Sequence, residues 1–309
     1  MKKYFIFILL IALIVLAGFW LTFSPFSDNA TEEVQFSVKK GEGSKDIALN
    51  LEKQDLIKWA PIFRLYVLAE GIISDLKAGE YLLSPDMNIP QIADKLARGD
   101  VIKISVTIPE GFTVKQIEDK LGFELSGDNL EGFLFPDTYQ FSFGFSAEEV
   151  IEKMRDNFER KLDGELRDEI TRQNKTVLQI VTMASLIEKE VVNLQDKKLV
   201  SGILWKRLET GMPLQVDATL VYLSEQEKWT FDETLKGLAS FKEIDSAYNT
   251  YKYLGLPPGP ICNPGLESII AAVYPAESSY WYYLSTPEGE TIFNETLQGH
   301  NSARAEYFR

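Results

Sequence analysis

The sequence contains very little of the two residue types that most often bind metals or act as nucleophiles. Its 309 residues include one cysteine, Cys262, and one histidine, His300. One cysteine cannot form an internal disulfide, and the two residues fall short of the Cys/His set of a zinc site. A Cys-His dyad is formally possible but is not favoured. We therefore predict no metal and no cofactor, and we expect carboxylates to carry most of the chemistry.

Positive charge is also scarce. The chain has 32 Lys and Arg against 46 Asp and Glu, a formal net charge of -14. This balance argues against a non-specific nucleic-acid-binding protein, which needs a basic surface to neutralise phosphates. Hydrophobic residues at 45% and charged residues at 25% are typical of a folded protein, and the length allows two domains of ordinary size.

Only one long uncharged run occurs, at the N-terminus from Tyr4 to Phe23. As a helix it spans roughly 30 Å, the thickness of a bilayer core. Lys2 and Lys3 precede it and acidic residues follow from Asp28 onward, which places the N-terminus in the cytoplasm and the rest of the chain outside. A cleaved signal peptide is the alternative, but the run is longer than a usual signal core and residues 18–21 offer no clear cleavage site. We predict an uncleaved single-pass anchor over residues 1–24.

A linker over residues 25–33 and a small α+β domain over residues 34–106 are predicted next. Strand-turn-helix patterns recur in this domain, and Ser44 is expected to cap a short helix. The sequence from Phe36 through Gly41 and Gly43 to Ala48 resembles a LysM-type carbohydrate-binding module. An ordinary small α+β domain is the open alternative.

The remaining residues, 107–309, are predicted to form a larger mixed α+β domain. Ala147 to about Arg172 is amphipathic and predicts one long packing helix, and Leu199 to Leu208 predicts another. Tyr280 to Leu284 and Thr291 to Phe293 flank a turn and predict a hairpin.

One predicted helix, Val177 to Asn193, is apolar around most of its circumference but contains two acids, Glu188 and Glu190. Glu188 projects near the middle of the apolar face and Glu190 lies on its flank. Burial raises the pKa of a carboxyl, and a carboxyl that stays protonated near neutral pH suits a general acid. The alternative is a structural carboxylate paired with a buried base such as Arg207.

Five polar residues near irregular segments are candidate substrate ligands. Gln215, Asp217 and Thr219 follow a Gly-Met-Pro turn, and Asn249 and Tyr251 precede a loop rich in Pro and Gly. Such loops often present groups to ligands, although a structural role in a turn is the commoner one for any single residue.

Several motifs together resemble the MltG (YceG-like) family of endolytic murein transglycosylases. They are Met183–Glu190 (MASLIEKE), Arg207-Leu208 with Gly211–Thr219 (GMPLQVDAT), Tyr248–Tyr251 (YNTY) and Gly255–Ile261 (GLPPGPI). The resemblance also covers the N-terminal anchor, residues 131–138 and the ending around Phe293-Asn294 and His300-Asn301. Cys262 departs from the pattern, since a small residue is expected there.

The resemblance implies a LysM-like domain followed by a YceG-like catalytic domain over residues 107–309. It implies cleavage of peptidoglycan between N-acetylmuramic acid and N-acetylglucosamine without net addition of water, leaving 1,6-anhydro ends. By the Glu-Lys-Glu match the catalytic acid is Glu190, with Glu188 as the alternative. It also implies an anchor in the bacterial cytoplasmic (inner) membrane and coordination with cell-wall synthases.

Two other functions stay open on the sequence. One is a non-catalytic, membrane-tethered peptidoglycan-binding protein in which both glutamates are structural. The other is a muramidase that hydrolyses the same bond with two carboxyls, Asp217 being the partner.

Overall fold

The computed structural model describes residues 2–27, 32–226 and 242–308. The chain divides into two compact units, one of Met1–Val106 with Gln140–Phe145 and one of Thr107–Tyr139 with Ser146–Arg309. The described helices are α1 (Lys2–Phe23), α2 (Ser44–Lys53), α3 (Ala60–Ala69), α4 (Ile89–Arg98), α5 (Val114–Leu121), α6 (Ala147–Lys161), α7 (Gly164–Arg172), α8 (Val177–Glu190), α9 (Leu194–Glu209), α10 (Asp217–Gln226), α11 (Leu266–Val273) and α12 (Leu297–Tyr307). The strands are β1 (Val34–Val38), β2 (Gly79–Leu83), β3 (Lys103–Thr107), β4 (Thr138–Ser142), β5 (Tyr282–Ser285) and β6 (Thr291–Asn294). The predicted α+β class is confirmed.

In the first unit, β1 and β2 form an antiparallel pair in which Phe36 faces Tyr81 and Val34 faces Leu83. Alternate residues of both strands are buried, as the period-2 pattern requires, and they pack on the apolar faces of α2, α3 and α4. Helix α2 begins as expected, but its N-cap is Gly43 without a side-chain bond, so the prediction that Ser44 caps it is wrong. Of the predicted linker 25–33, residues 28–31 lie outside the described part of the chain.

Helix α1 contains the long apolar run. Residues Ile6–Phe23 have a mean hydropathy of 2.8, and this segment is long and apolar enough to cross a membrane. Its C-terminal end packs on α3 within the same unit, where the Lys58 ammonium lies 4.2 Å from the Trp20 ring centroid.

The core of the second unit is built around α8. Every residue from Ile180 to Ile187 is buried, and α9 and α11 pack against the helix. A helix that is apolar on nearly all sides requires such cover, and here neighbouring helices supply it. The sequence prediction missed α11.

The single long helix predicted over Ala147 to Arg172 is wrong. It is two helices, because α6 ends at Lys161 and Asp163 accepts a hydrogen bond from the Leu166 N–H as the N-cap of α7. An Asp side chain that caps a new helix competes with continuation of the old one. Helix α9 also begins five residues before the predicted Leu199, since Asn193 caps it.

The predicted hairpin is confirmed: β5 and β6 pair antiparallel, with Tyr283 opposite Phe293. Strands β3 and β4 form a separate pair.

Candidate active site

Helix α8 carries both candidate acids in its last turn. A capping box fixes its start, with Thr176 and Gln179 exchanging side-chain and backbone hydrogen bonds. The helix ends at Glu190 because Val191 is extended, with φ -146° and ψ 155°. Two residues apart on a helix, Glu188 and Glu190 point in different directions.

Glu188 points into the protein. Its side chain is 9% exposed and lies 3.5 Å from the ammonium of Lys197, which is 3% exposed. The same Oε2 accepts hydrogen bonds from the Gly265 N–H at 3.0 Å and from the Ser268 hydroxyl at 2.5 Å. All of these partners are donors, so Glu188 acts as an acceptor that holds α9 and the start of α11 against α8.

Glu190 instead lines a pocket of about 280 Å³. The lining residues come from the end of α8, one face of α10, the start of α5 and the Pro/Gly-rich loop: Thr113, Lys189, Glu190, Asp217, Ala218, Val221, Tyr222, Glu225 and Ile261. The Glu190 side chain is half-buried. This position leaves it accessible to a ligand in the pocket.

The surroundings of Glu190 bring its pKa close to neutral pH. Desolvation by burial raises the pKa of Glu190 to about 7, and the nearby negative charge of Asp217 acts in the same direction. Hydrogen bonds from the Tyr283 hydroxyl and the Ala218 N–H, together with the positive charge of Arg207, limit the rise. A carboxyl with a pKa near 7 can donate a proton and then accept one at ordinary pH.

Arg207 connects two walls around Glu190. Its Nε and Nη2 donate to the Trp281 carbonyl at 3.0 and 2.6 Å, and its Nη1 donates to the Leu214 carbonyl at 2.7 Å. Trp281 precedes β5, which carries Tyr283, and Leu214 precedes α10, which begins at Asp217. The guanidinium therefore fixes both elements that supply partners to Glu190.

The Pro/Gly-rich loop is held against α8 by Ser185. The Ser185 hydroxyl accepts a hydrogen bond from the Ile261 N–H at 3.0 Å, and the Cys262 thiol donates to the Ser185 carbonyl at 3.4 Å. Burial raises the pKa of the Cys262 thiol, which makes it an inert packing residue. Gly132 also lies against this loop with a φ of 86°, and a Cβ there would come within 2.4 Å of Pro260.

A second perturbed acid, Glu131, lies close to this site. Its carboxylate accepts a hydrogen bond of 3.2 Å from the N–H of Val114, at the start of α5. It accepts another, of 3.3 Å, from the side-chain amide of Asn263. Burial raises the pKa of Glu131 to about 7 in spite of these donors. In the sequence this residue was recognised only as part of the segment 131–138 that resembles the family, without a role for its carboxyl.

The raised pKa of Glu131 predicts a pH-dependent stability. Because the folded-state pKa exceeds the value of 4.5 expected for an exposed glutamate, the stabilisation is complete below pH 4.5 and is lost as the pH rises through about 7. Glu131→Gln should remove part of the decline in unfolding free energy between pH 5 and 8, on the order of 1 kcal/mol after allowance for partial exposure. Urea denaturation at both pH values measures this. Glu124→Gln, at an exposed position, is the control and should leave the decline unchanged.

The five candidate substrate ligands lie in different environments, and not all of them line the pocket. Asp217 lines the pocket and accepts a hydrogen bond from the Tyr251 hydroxyl at 2.5 Å. Thr219 and Asn249 are buried, and their side chains bond to backbone or to Thr250. Gln215 is exposed, with a positive φ of 54°. Contacts of these five residues with a sugar stay predictions.

Sequence reasoning missed three residues that surround Glu190 or its pocket. Tyr283 was only part of a hairpin pattern, and Tyr222 and Glu225 belong to α10, which was not recognised as a helix. The run of aromatics that leads into β5 was visible, but nothing local indicated that one of them faces α8 nearly a hundred residues earlier. Within the described ranges, no group of three or more His, Cys, Asp and Glu side chains is arranged to hold a metal ion.

Comparison with known proteins identifies the family. The model of the YceG-like family matches residues 36–306. The chain belongs to the YceG-like family. The resemblance found in the sequence motifs is thus confirmed, and the match includes both glutamates, the pocket and the hairpin.

Relatives within this family carry a functional name. A Bacillus subtilis protein named endolytic murein transglycosylase is 32% identical over 92% of this chain and 87% of its own length. A Streptococcus pneumoniae protein of the same name is 28% identical over 92% of this chain, which spans only 60% of that relative. The crystal structure of a yceG-like protein from Listeria monocytogenes shares 34% identity and superposes with a TM-score of 0.57, covering 88% of this chain and 99% of that one.

Proposed function

We propose that this protein is a membrane-anchored lytic transglycosylase that cuts peptidoglycan glycan strands, with Glu190 as its single acid and base. The observation that carries the proposal is a carboxyl with a pKa of about 7 in the wall of a pocket. The family relatives named endolytic murein transglycosylase support the same substrate and an endolytic mode of cleavage.

The proposed reaction begins with protonated Glu190. It donates its proton to the oxygen of the bond between N-acetylmuramic acid and N-acetylglucosamine, and the bond from that oxygen to the muramyl C1 breaks through an oxocarbenium-like transition state. The resulting carboxylate removes the proton from the 6-hydroxyl of the same muramyl sugar while that oxygen bonds to C1. The product is a 1,6-anhydro end, no water is added, and Glu190 regains its proton.

The neighbours of Glu190 suit both steps, donation of the proton and removal of a proton from the 6-hydroxyl. Burial and the charge of Asp217 favour the protonated form that the first step needs. The Tyr283 hydroxyl, the Ala218 N–H and Arg207 stabilise the carboxylate that forms next, so its charge is not left uncompensated in a partly desolvated site. Asp217, with Tyr251 bonded to it, is also placed to orient a sugar hydroxyl or acetamido group.

Helix α1 is proposed to anchor the chain in the bacterial cytoplasmic (inner) membrane with its N-terminus in the cytoplasm. The uncharged length of Ile6–Phe23 and the preceding Lys2 and Lys3 support this topology. The part of the first unit that follows α1, with the LysM-like sequence, is proposed to bind glycan. An anchored enzyme would meet newly made strands, where its action would need coordination with cell-wall synthases.

Analysis of the reaction products tests the proposed function. The full chain in detergent would be incubated with purified peptidoglycan, and the released muropeptides measured by mass spectrometry. Anhydro-muramyl ends support the proposal. Reducing ends, heavier by one water, would indicate a hydrolysing muramidase, and the absence of cleavage would leave a peptidoglycan-binding protein.

Tyr283→Phe is expected to shift the pH profile of cleavage. The substitution removes a donor that favours the carboxylate, so the pKa of Glu190 should rise and the alkaline limb of kcat/KM should move to higher pH. The rate at the optimum should fall about tenfold, because the carboxylate loses one of its hydrogen bonds in the second phase. Tyr280→Phe, on the same segment, is the control and should keep the profile of the unmodified chain. An unchanged profile in Tyr283→Phe would contradict the assigned contact.

A further inference from the structure

Helix α3 has an unusual exposed face. Its buried face consists of Ala60, Phe63 and Val67. At 100° per residue the opposite face consists of Pro61, Ile62, Leu65, Leu68 and Ala69, all apolar, and the exposed Arg64 lies at its edge. Leu65 is 62% exposed and Leu68 is 60% exposed. A surface helix of a water-soluble domain carries polar residues at such positions.

The same helix lies beside the end of the proposed anchor. A groove of about 490 Å³ separates α1 from α3. Its lining is mostly apolar and comes from both helices: Ala17, Gly18, Phe19, Leu21 and Thr22 on α1, and Ile62, Leu65, Tyr66 and Ala69 on α3 together with its N-cap residue Trp59. Both helices belong to one compact unit.

The position of α3 relative to the bilayer follows from the position of α1. If Ile6–Phe23 spans the hydrocarbon core, residues 17–22 occupy its outer third, since each residue adds about 1.5 Å. An element that shares a groove with these residues is then at the level of the outer leaflet. The aromatic rings at this level, Trp20 and the half-exposed Trp59, are of the type enriched at membrane interfaces.

We propose that α3 lies in the outer leaflet of the membrane with Leu65 and Leu68 in contact with lipid, as a second membrane contact beside α1. Lipid is favoured as the occupant over a protein because the apolar face continues directly from the apolar surface of the spanning helix. The proposal rests on α1 crossing the membrane and is independent of the assigned chemistry of Glu190. It implies that the first unit is held at the membrane surface in a fixed orientation.

Site-directed spin labelling of the full chain tests this. Leu65→Cys and Leu68→Cys would be labelled with a nitroxide and reconstituted into phosphatidylethanolamine–phosphatidylglycerol vesicles. Phe19→Cys on α1 reports the span, and Leu49→Cys is the matched control, because Leu49 is an apolar residue of α2 that is 48% exposed. Native Cys262 is buried, and the unsubstituted chain measures any background labelling. Thermal unfolding checks that each variant is folded.

Collision with dioxygen, which concentrates in lipid, is compared with collision with a water-soluble nickel chelate. The ratio of the dioxygen collision rate to the nickel-chelate collision rate at Leu65 and Leu68 should resemble the ratio at Phe19. It should exceed the ratio at Leu49 several-fold. If the label at Phe19 lies in lipid while those at Leu65 and Leu68 behave like the label at Leu49, the inference about α3 is wrong. The proposal that α1 spans the membrane is then unaffected. Labels shielded from both reagents would indicate that protein and not lipid covers this face of α3, which would overturn the inference. An aqueous Phe19 would overturn the inference together with the anchor. None of these outcomes bears on product analysis of the reaction.

Discussion

Glu190→Gln is expected to reduce release of anhydro-muramyl products by a factor of about 10² to 10⁴, the range typical for loss of a general acid-base group. Gln has nearly the shape of the protonated acid, so it can occupy the same place in the pocket wall but has no proton to transfer. Muropeptide mass spectrometry at several enzyme concentrations measures the loss.

The variant should remain folded, because an uncharged side chain suits the desolvated position of Glu190. Above pH 7 it should be at least as stable as the unmodified chain, which must ionise Glu190 there. Glu165→Gln, an exposed change on α7, is the matched control for loss of one carboxyl and should retain full activity. Retention of cleavage by Glu190→Gln would exclude it as the acid.

The second large effect is expected at Glu188, and it is an effect on stability. Glu188→Gln removes the carboxylate that lies 3.5 Å from the ammonium of Lys197, which is 3% exposed. Glu110 is then the remaining acid whose charge acts on that ammonium. Removing one partner of a buried ion pair typically costs about 3–5 kcal/mol of unfolding free energy. Denaturant unfolding measures the loss, and cleavage should fall only in proportion to the folded fraction.

The double variant Glu188→Gln with Lys197→Met separates charge from packing. Because it removes both members of the ion pair, much of the lost unfolding free energy should return. A double-mutant cycle built from the two single variants and the double variant should then give a stabilising interaction energy between Glu188 and Lys197. If Glu188→Gln instead stayed as stable as the unmodified chain and lost cleavage, the roles assigned to the two glutamates would be exchanged.

The sequence could narrow the acid to two residues but could not choose between them by geometry. Helical periodicity placed Glu188 near the middle of the apolar face and Glu190 on its flank. In the structure Glu188 pairs with Lys197 and Glu190 lines the pocket. What decides their roles is supplied from elsewhere in the chain: Gly265 and Ser268 bind Glu188, and Tyr283 faces Glu190. Such long-range contacts leave no local pattern.

The errors in the fold have local causes. The break after Lys161 was hidden because the apolar spacing continues across it, although Asp163-Gly164 was a signal for a new helix start. Helix α3 was missed because it lacks the polar face that identifies a helix in a soluble domain. The strand-turn-helix units of the first unit were predictable, since their turns and alternating strands are encoded within a few residues.

The bonds of Arg207 constrain how a long polymer reaches Glu190. The guanidinium of Arg207 binds the carbonyls of both Leu214 and Trp281. These two segments therefore cannot move apart without breaking three hydrogen bonds. A glycan therefore has to enter the pocket beside Glu190 while these two segments stay together. The groups that surround the scissile bond would then be in position before the substrate arrives, without a closing motion of the protein.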